Sequence, residues 1–313
     1  MIAPMHHDHG IITLDADYLR PGLAAIHLVI EQGHVAIVDT GTNQSVSAVL
    51  AELEARGLTP DDVDYVIATH VHLDHAGAAG ALIRACPRAR LVVHPSGARH
   101  LIDPARLVAG SKEVYGEGIF QRLYGDIVPV PAERVIEAPD NHRLDFRGRM
   151  LTFLDTPGHA RHHFCIHDAQ SESVFTGDTF GISYREFDVD GHPFIYPTTT
   201  PVQFDPMALH GSIDRIIALE PEAAFLTHYG RVTNLPALAP PLHELIDEWC
   251  ELALGVEGEG AARQAALEVE LERSLLVRLR AHGCELDEAT CRGLLANDVR
   301  LNAQGLLVWR ERK

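Results

Sequence analysis

The apolar positions of this chain switch between two periods. Residues 11–14, 25–30 and 35–38 are short apolar runs, with Gln32-Gly33 as a turn and Asp39-Thr40-Gly41 closing the last, which predicts a β-meander. Val46, Val49, Leu50 and Leu53 then recur at helical spacing with Gly57 as a stop, and residues 63–68 form another β-rich run. A further helix is expected just after His75, carrying Ala78, Ala81, Leu82 and Ala85, before a strand at 91–93. Residues 69–77 are thereby left as a loop at a strand's C-terminal end, where a rigid sheet lets a loop aim several side chains at one point. Residues 104–131 mix helical and loop-like signals and are read as an insertion over that loop. A second strand-rich half covers Leu144, 150–154, 164–167 and 174–175, then a helix at 206–219 and a strand at 224–226. Two β-rich halves with outer helices imply an α+β chain built as a four-layer αβ/βα sandwich. After Pro236-Ala237-Leu238-Ala239-Pro240-Pro241 the pattern turns helical, at 242–254, 261–281 and 287–295. The expected organisation is a catalytic domain at 1–235 and a helical C-terminal extension at 236–313.

Composition narrows the class without naming a chemistry. With 46% hydrophobic and 22% charged residues the chain is neither disordered nor fibrous. Its five cysteines, Cys86, Cys165, Cys250, Cys284 and Cys291, are scattered without a Cys-x-x-Cys pair, and are read as free thiols in a reducing cytoplasm. Residues 1–9 lack the basic start and apolar run of a signal peptide, and no later stretch has the length of a membrane span. A formal net charge of -18 repels a phosphate backbone, and basic residues do not cluster before Arg310-Glu311-Arg312-Lys313, so nucleic acid is not an expected partner. The 20 histidines are the unusual feature, because core packing alone rarely accumulates a residue with a near-neutral pKa and a metal-binding lone pair.

Their placement points to metal. Thr69-His70-Val71-His72-Leu73-Asp74-His75-Ala76-Gly77 crowds three imidazoles and a carboxylate into one segment. Imidazole suits zinc, iron or manganese, and a carboxylate lowers the net charge of the site while serving as ligand or proton acceptor. Burying these groups without a cation would be costly. His6, His7 and His9 form a second, compositional metal-binding tract, read as part of a mobile terminus.

His-x-His-x-Asp-His after a short apolar strand resembles the signature of the metallo-β-lactamase superfamily. Further segments of this chain are similar to the family's pattern in order: Asp39-Thr40-Gly41, Thr156-Pro157-Gly158-His159, Phe175-Thr176-Gly177-Asp178-Thr179 and Leu226-Thr227-His228. The resemblance implies two divalent metals, zinc first with iron or manganese as alternatives. One would be bound by His70, His72 and His159, the other by Asp74, His75 and His228, with Asp178 bridging both. Asp39 would orient a ligand imidazole rather than bind metal. Ala160-Arg161-His162-His163 follows His159 where related sequences usually continue Thr-x-Gly-His, so His162 and His163 stand as residues that pack against the site or contact substrate.

Such a metal pair presents hydroxide to a carbonyl or phosphoryl centre, with Asp74 binding metal and accepting the water's proton. Tyr184 is a candidate oxyanion donor by resemblance to lactonase relatives, at longer spacing than theirs, with Tyr229 and Arg185 as comparable candidates. Asp178 and the absence of an export signal argue against an antibiotic-destroying enzyme. The expected activity is hydrolysis of a small ester, lactone or thioester, as in the hydroxyacylglutathione-thioesterase and lactonase branch. The alternatives are a phosphodiesterase of the same fold, a mononuclear-iron persulfide dioxygenase, and a non-catalytic binding module. A small-molecule substrate is the expected partner, and a homodimer is compatible with the helical extension.

Overall fold

In the computed structural model, which describes residues 2–200 and 202–313, the chain forms two compact units that alternate along the sequence. The first comprises Met1–Asp155, His162–Gly177 and Pro221–Arg231; the second comprises Thr156–Arg161, Asp178–Glu220 and Val232–Lys313.

Two sheets make up the first unit, apart from Val232 and Thr233 at the end of the last strand, which the second unit includes. The seven-stranded sheet runs in chain order through β1 (Met5–His6), β2 (Ile11–Asp15), β3 (Ala25–Glu31), β4 (His34–Val38), β5 (Val63–Ala68), β6 (Arg90–Val93) and β7 (Val135–Glu137). The six-stranded sheet has β8 (His142–Phe146), β9 (Arg149–Asp155), β10 (Phe164–Asp168), β11 (Ser173–Gly177), β12 (Ala223–Leu226) and β13 (Gly230–Thr233), again in sequential spatial order. The meander of β2 to β4 is antiparallel, and its Gln32-Gly33 connection has positive φ at both residues (48° and 78°), the tight turn whose twist matches the flanking strands. From β4 to β7 the pairing is parallel, and the inner strands are apolar on both faces, as Val66, Ile67, Val92 and Val93 show. Ile11, Val29, Val38, Ile67 and Val92 of one sheet share a core with Phe146, Phe153, Phe164, Phe175 and Phe225 of the other.

The helices of this unit are α1 (Val46–Ala55), α2 (Leu73–Ala76), α3 (Ala79–Ala85), α4 (Pro95–Ile102), α5 (Ala105–Tyr115) and α6 (Glu117–Leu123). Residues 104–131 are therefore largely helical, with Phe120 and Tyr124 buried. The 69–77 segment is not wholly loop. The His75 and Ala76 amides both donate to the His72 carbonyl, at 3.0 and 2.8 Å, and wind Leu73–Ala76 into one helical turn. The N-terminal histidine tract is placed against the sheet: β1 pairs with β2, and His7 Nε2 lies 3.0 Å from Thr13 Oγ1.

The second unit is helical, with α7 (Pro206–Ile217), α8 (Leu235–Gly255), α9 (Gly260–His282) and α10 (Glu288–Glu311). The boundary expected at 236 lies one residue into α8, because Pro236 sits in the first turn, where its missing N–H costs no hydrogen bond. Helix α10 runs well past residue 295, since Val299, Ala303, Leu306 and Trp309 continue a buried stripe at helical spacing. The class is α+β, two sheets flanked by helices and followed by C-terminal helices.

Candidate metal centre

Every segment of the anticipated ligand set leaves the end of a strand: Asp39 follows β4, His70 follows β5, His159 follows β9, Asp178 follows β11 and His228 follows β12. Strand ends are where backbone pairing stops and side chains are released to converge.

Within the first unit the geometry is organised by Asp39, a buried residue held at a φ of 56°. Its Oδ1 accepts from the Thr69 amide and the Thr69 hydroxyl, both at 2.9 Å. Its Oδ2 accepts from Thr227 Oγ1 at 2.7 Å and from His75 Nδ1 at 2.8 Å. One carboxylate thus ties the ends of β4, β5 and β12 together and fixes one imidazole. Because a carboxylate only accepts, His75 carries its hydrogen on Nδ1, and its Nε2 lone pair faces Asp74 Oδ2 at 3.7 Å. His228 repeats the arrangement: Nδ1 lies 2.7 Å from the Leu23 carbonyl, and Nε2 lies 3.4 Å from the same Asp74 oxygen. Asp74, His75 and His228 each offer a ligand atom, all within 4.8 Å of one another.

His70 and His72 form a second grouping in this unit. The Thr69 hydroxyl, which donates to Asp39, is 3.2 Å from His70 Nδ1, so His70 donates there and turns its Nε2 lone pair on His72 Nδ1, 2.9 Å away. His70 also packs against His75, with ring centroids 4.0 Å apart. The second unit carries the remaining two residues of the set. His159 Nδ1 is 3.5 Å from the Thr198 carbonyl, and its Nε2 lies 3.3 Å from Asp178 Oδ2. At His75 and His228, then, a ring nitrogen lone pair faces a carboxylate oxygen, and at His70 it faces another imidazole. Acceptors brought together this way repel unless a cation or proton stands between them, so the donor set fits divalent metal ions and imidazole-preferring ones in particular. Each far nitrogen is engaged by an acceptor, as metal-bound histidines usually are.

His162 and His163 line the same part of the first unit. The His163 ring centroid is 4.9 Å from that of His70, and His162 lies edge-on to His72 at 5.8 Å. Burial, and then the neighbouring His72, His100 and His94, push the His162 pKa down to about 3, so it is neutral at pH 7. Gly177, just before Asp178, has a φ of 48°, and a side chain there would meet His163 Nε2 at 2.6 Å and Thr69 Oγ1 at 2.7 Å. The glycine of the Thr-Gly-Asp-Thr segment is what lets His163 lie against the strand end.

The oxyanion candidates fare differently. Tyr184 is buried in the second unit, where its hydroxyl donates to Asp298 Oδ2 at 2.8 Å, and Tyr196 donates to the same oxygen at the same distance. Its hydroxyl is thus committed to a structural network. Arg185 is turned onto the Ser183 carbonyl at 2.7 Å and onto Asp188 at 3.2 Å. Tyr229 is buried beside His228. Sequence reasoning missed a tyrosine pair instead. Tyr18 and Tyr124 share a hydrogen bond of 2.6 Å, and both pKa values are pushed well above 10, first by burial and then by nearby groups that include the Asp74 carboxylate. They remain protonated donors at neutral pH. No local signal marks them, since they are 106 residues apart in segments without a motif.

The metallo-beta-lactamase superfamily profile matches residues 19–228, a span that contains all seven anticipated ligands. The chain belongs to this superfamily. A metallo-beta-lactamase fold-containing protein of Sulfurisphaera tokodaii is 27% identical over 217 residues, covering 68% of this chain and 75% of the relative. A hydroxyacylglutathione hydrolase of Stenotrophomonas maltophilia is 31% identical over 152 residues, covering 49% of this chain and 44% of that enzyme. The solved structure of a metallo-beta-lactamase family protein from Thermus thermophilus aligns with a TM-score of 0.65 at 20% identity, over 97% of this chain and 94% of that one, a likeness of fold.

Proposed function

We propose that this superfamily member is a dinuclear metal-dependent hydrolase of a small ester, lactone or thioester. His70, His72 and His159 would hold one metal and Asp74, His75 and His228 the other, with Asp178 shared. Zinc is the first expectation, with iron or manganese as alternatives. The observation that carries the reading is the shared geometry of His75 and His228. Each has its Nδ1 hydrogen taken by an acceptor, and each presents an Nε2 lone pair to the one Asp74 carboxylate.

Two such cations, when bound, lower the pKa of a shared water toward neutrality and polarise the substrate oxygen. The chain's own residues do the rest. Asp74, whose carboxylate is 22% exposed, would accept the water's proton. Asp39 holds the His75 ring through Nδ1. The buried Tyr18–Tyr124 pair stays protonated, since burial and then nearby groups that include Asp74 oppose its ionisation. A net charge of -18 without a basic cluster favours a neutral or mildly anionic small substrate over a polyanion and fits a cytoplasmic setting. The hydroxyacylglutathione hydrolase relative supports the thioester option, although the match covers less than half of that enzyme.

The test is to purify the protein without added metal, count metals per chain, and assay the same sample on lactone, thioester, phosphodiester and β-lactam substrates beside Asp178→Ala and Asp39→Asn. Two metals, hydrolysis abolished by Asp178→Ala, and a loss of about 10–100-fold in metal affinity or rate for Asp39→Asn are expected. A single iron with oxygen consumption on a persulfide would replace the hydrolase with a dioxygenase. No bound metal under any condition would end the proposal.

A further inference from the structure

Helices α7 and α8 each carry a histidine four residues before an aspartate: His210 and Asp214 on α7, His243 and Asp247 on α8. Positions i and i+4 share a helix face, and here the two faces meet with reciprocal pairing. His210 Nε2 lies 3.1 Å from Asp247 Oδ1, and His243 Nε2 lies 3.2 Å from Asp214 Oδ1. The two rings are nearly coplanar and meet edge to edge, 4.8 Å between centroids and 14° between planes, with their Nδ1 atoms 2.5 Å apart.

A carboxylate oxygen only accepts, so each Nε2 carries its hydrogen and each neutral ring turns a lone pair toward the other. Two lone pairs at that distance repel unless something positive stands between them. Handing the far N–H to a carboxylate is also what metal-bound imidazoles do, since it fixes the tautomer and raises ligand basicity. The geometry points to a further divalent-cation site, ligated by His210 Nδ1 and His243 Nδ1, that ties α7 to α8 and takes imidazole-preferring ions such as Zn2+, Ni2+ or Cu2+. Zinc–nitrogen bonds of about 2.0–2.1 Å place two nitrogens of a tetrahedral site roughly 3.3 Å apart, so the rings need to separate by about 1 Å and turn from their head-on approach until both lone pairs converge on the ion. The histidine side chains are 19% and 27% exposed, which leaves the outer coordination positions open to water. Asp214 and Asp247 add two negative charges beside the ion. The rival occupant of the gap is a single shared proton.

The test compares the full-length protein with a His210→Ala/His243→Ala double variant by equilibrium dialysis against micromolar free Zn2+. The unaltered protein holds about one equivalent more than the variant, whatever number both retain elsewhere. A second measurement needs no substitution: diethyl pyrocarbonate labelling of the peptides containing His210 and His243, read by mass spectrometry, falls several-fold when Zn2+ is present. Equal zinc content in the two proteins, or labelling indifferent to zinc, overturns the site and leaves the shared proton.

Discussion

His27 shows how a single buried side chain sets a pH limit on the fold. Its Nε2 donates to the Leu226 carbonyl at 3.2 Å, its Nδ1 lies 3.1 Å from Thr13 Oγ1, and its ring packs on Phe175 and Phe225. Complete burial favours the neutral ring and lowers its pKa to about 4. A depressed histidine pKa means the unfolded chain takes up the proton first. The stability from neutral His27 is therefore fully present above about pH 6.5 and is lost as pH falls toward 4. At 1.36 kcal/mol per pKa unit this amounts to about 3 kcal/mol. His27→Gln keeps a donor and an acceptor but cannot titrate. The stability gap between the two proteins, measured by urea unfolding, is expected to narrow by most of that amount between pH 7.5 and 4; a gap that stays constant would refute the account. The candidate ligand residues are legible at this scale for a different reason: they crowd within six positions, as from His70 to His75.

At the scale of elements, strands flanked by turn residues were readable, while β1, β7 and β13 were not, being two to four residues long and dependent on partners far along the chain. Helix α10 illustrates a length set by contacts. Gly305 lies in its interior, and a side chain there would meet the Thr199 carbonyl oxygen at 1.7 Å. The helix approaches the 199–200 backbone so closely that only hydrogen fits. Thr199 is held there by Asn302, whose Oδ1 accepts from its hydroxyl at 3.1 Å. Gly305→Ala, normally favourable in a helix, is therefore expected to destabilise by about 1–3 kcal/mol. A denaturation midpoint equal to or above that of the unaltered protein would show that the close approach is not a constraint.

For the whole molecule, metal and fold are linked. If the clustered acceptors are stabilised by cations, ions at a hundredfold excess over their dissociation constant add roughly 2.7 kcal/mol to stability. Dialysis against a chelator is expected to lower the melting temperature and abolish hydrolysis, with both restored by Zn2+; a melting temperature indifferent to the chelator would count against the assignment. The sequence by itself determined the superfamily and the α+β class and singled out seven candidate ligands, because each rests on a local pattern: an alternation, a turn, or a short motif at a strand end. Only tertiary structure decided the partners of Tyr184, Tyr18 and His210. Tyr184 meets Asp298 across 114 residues, Tyr18 meets Tyr124 across 106, and His210 meets His243 across 33. Contacts of that separation are fixed by how whole elements pack, and no periodicity along the chain encodes them.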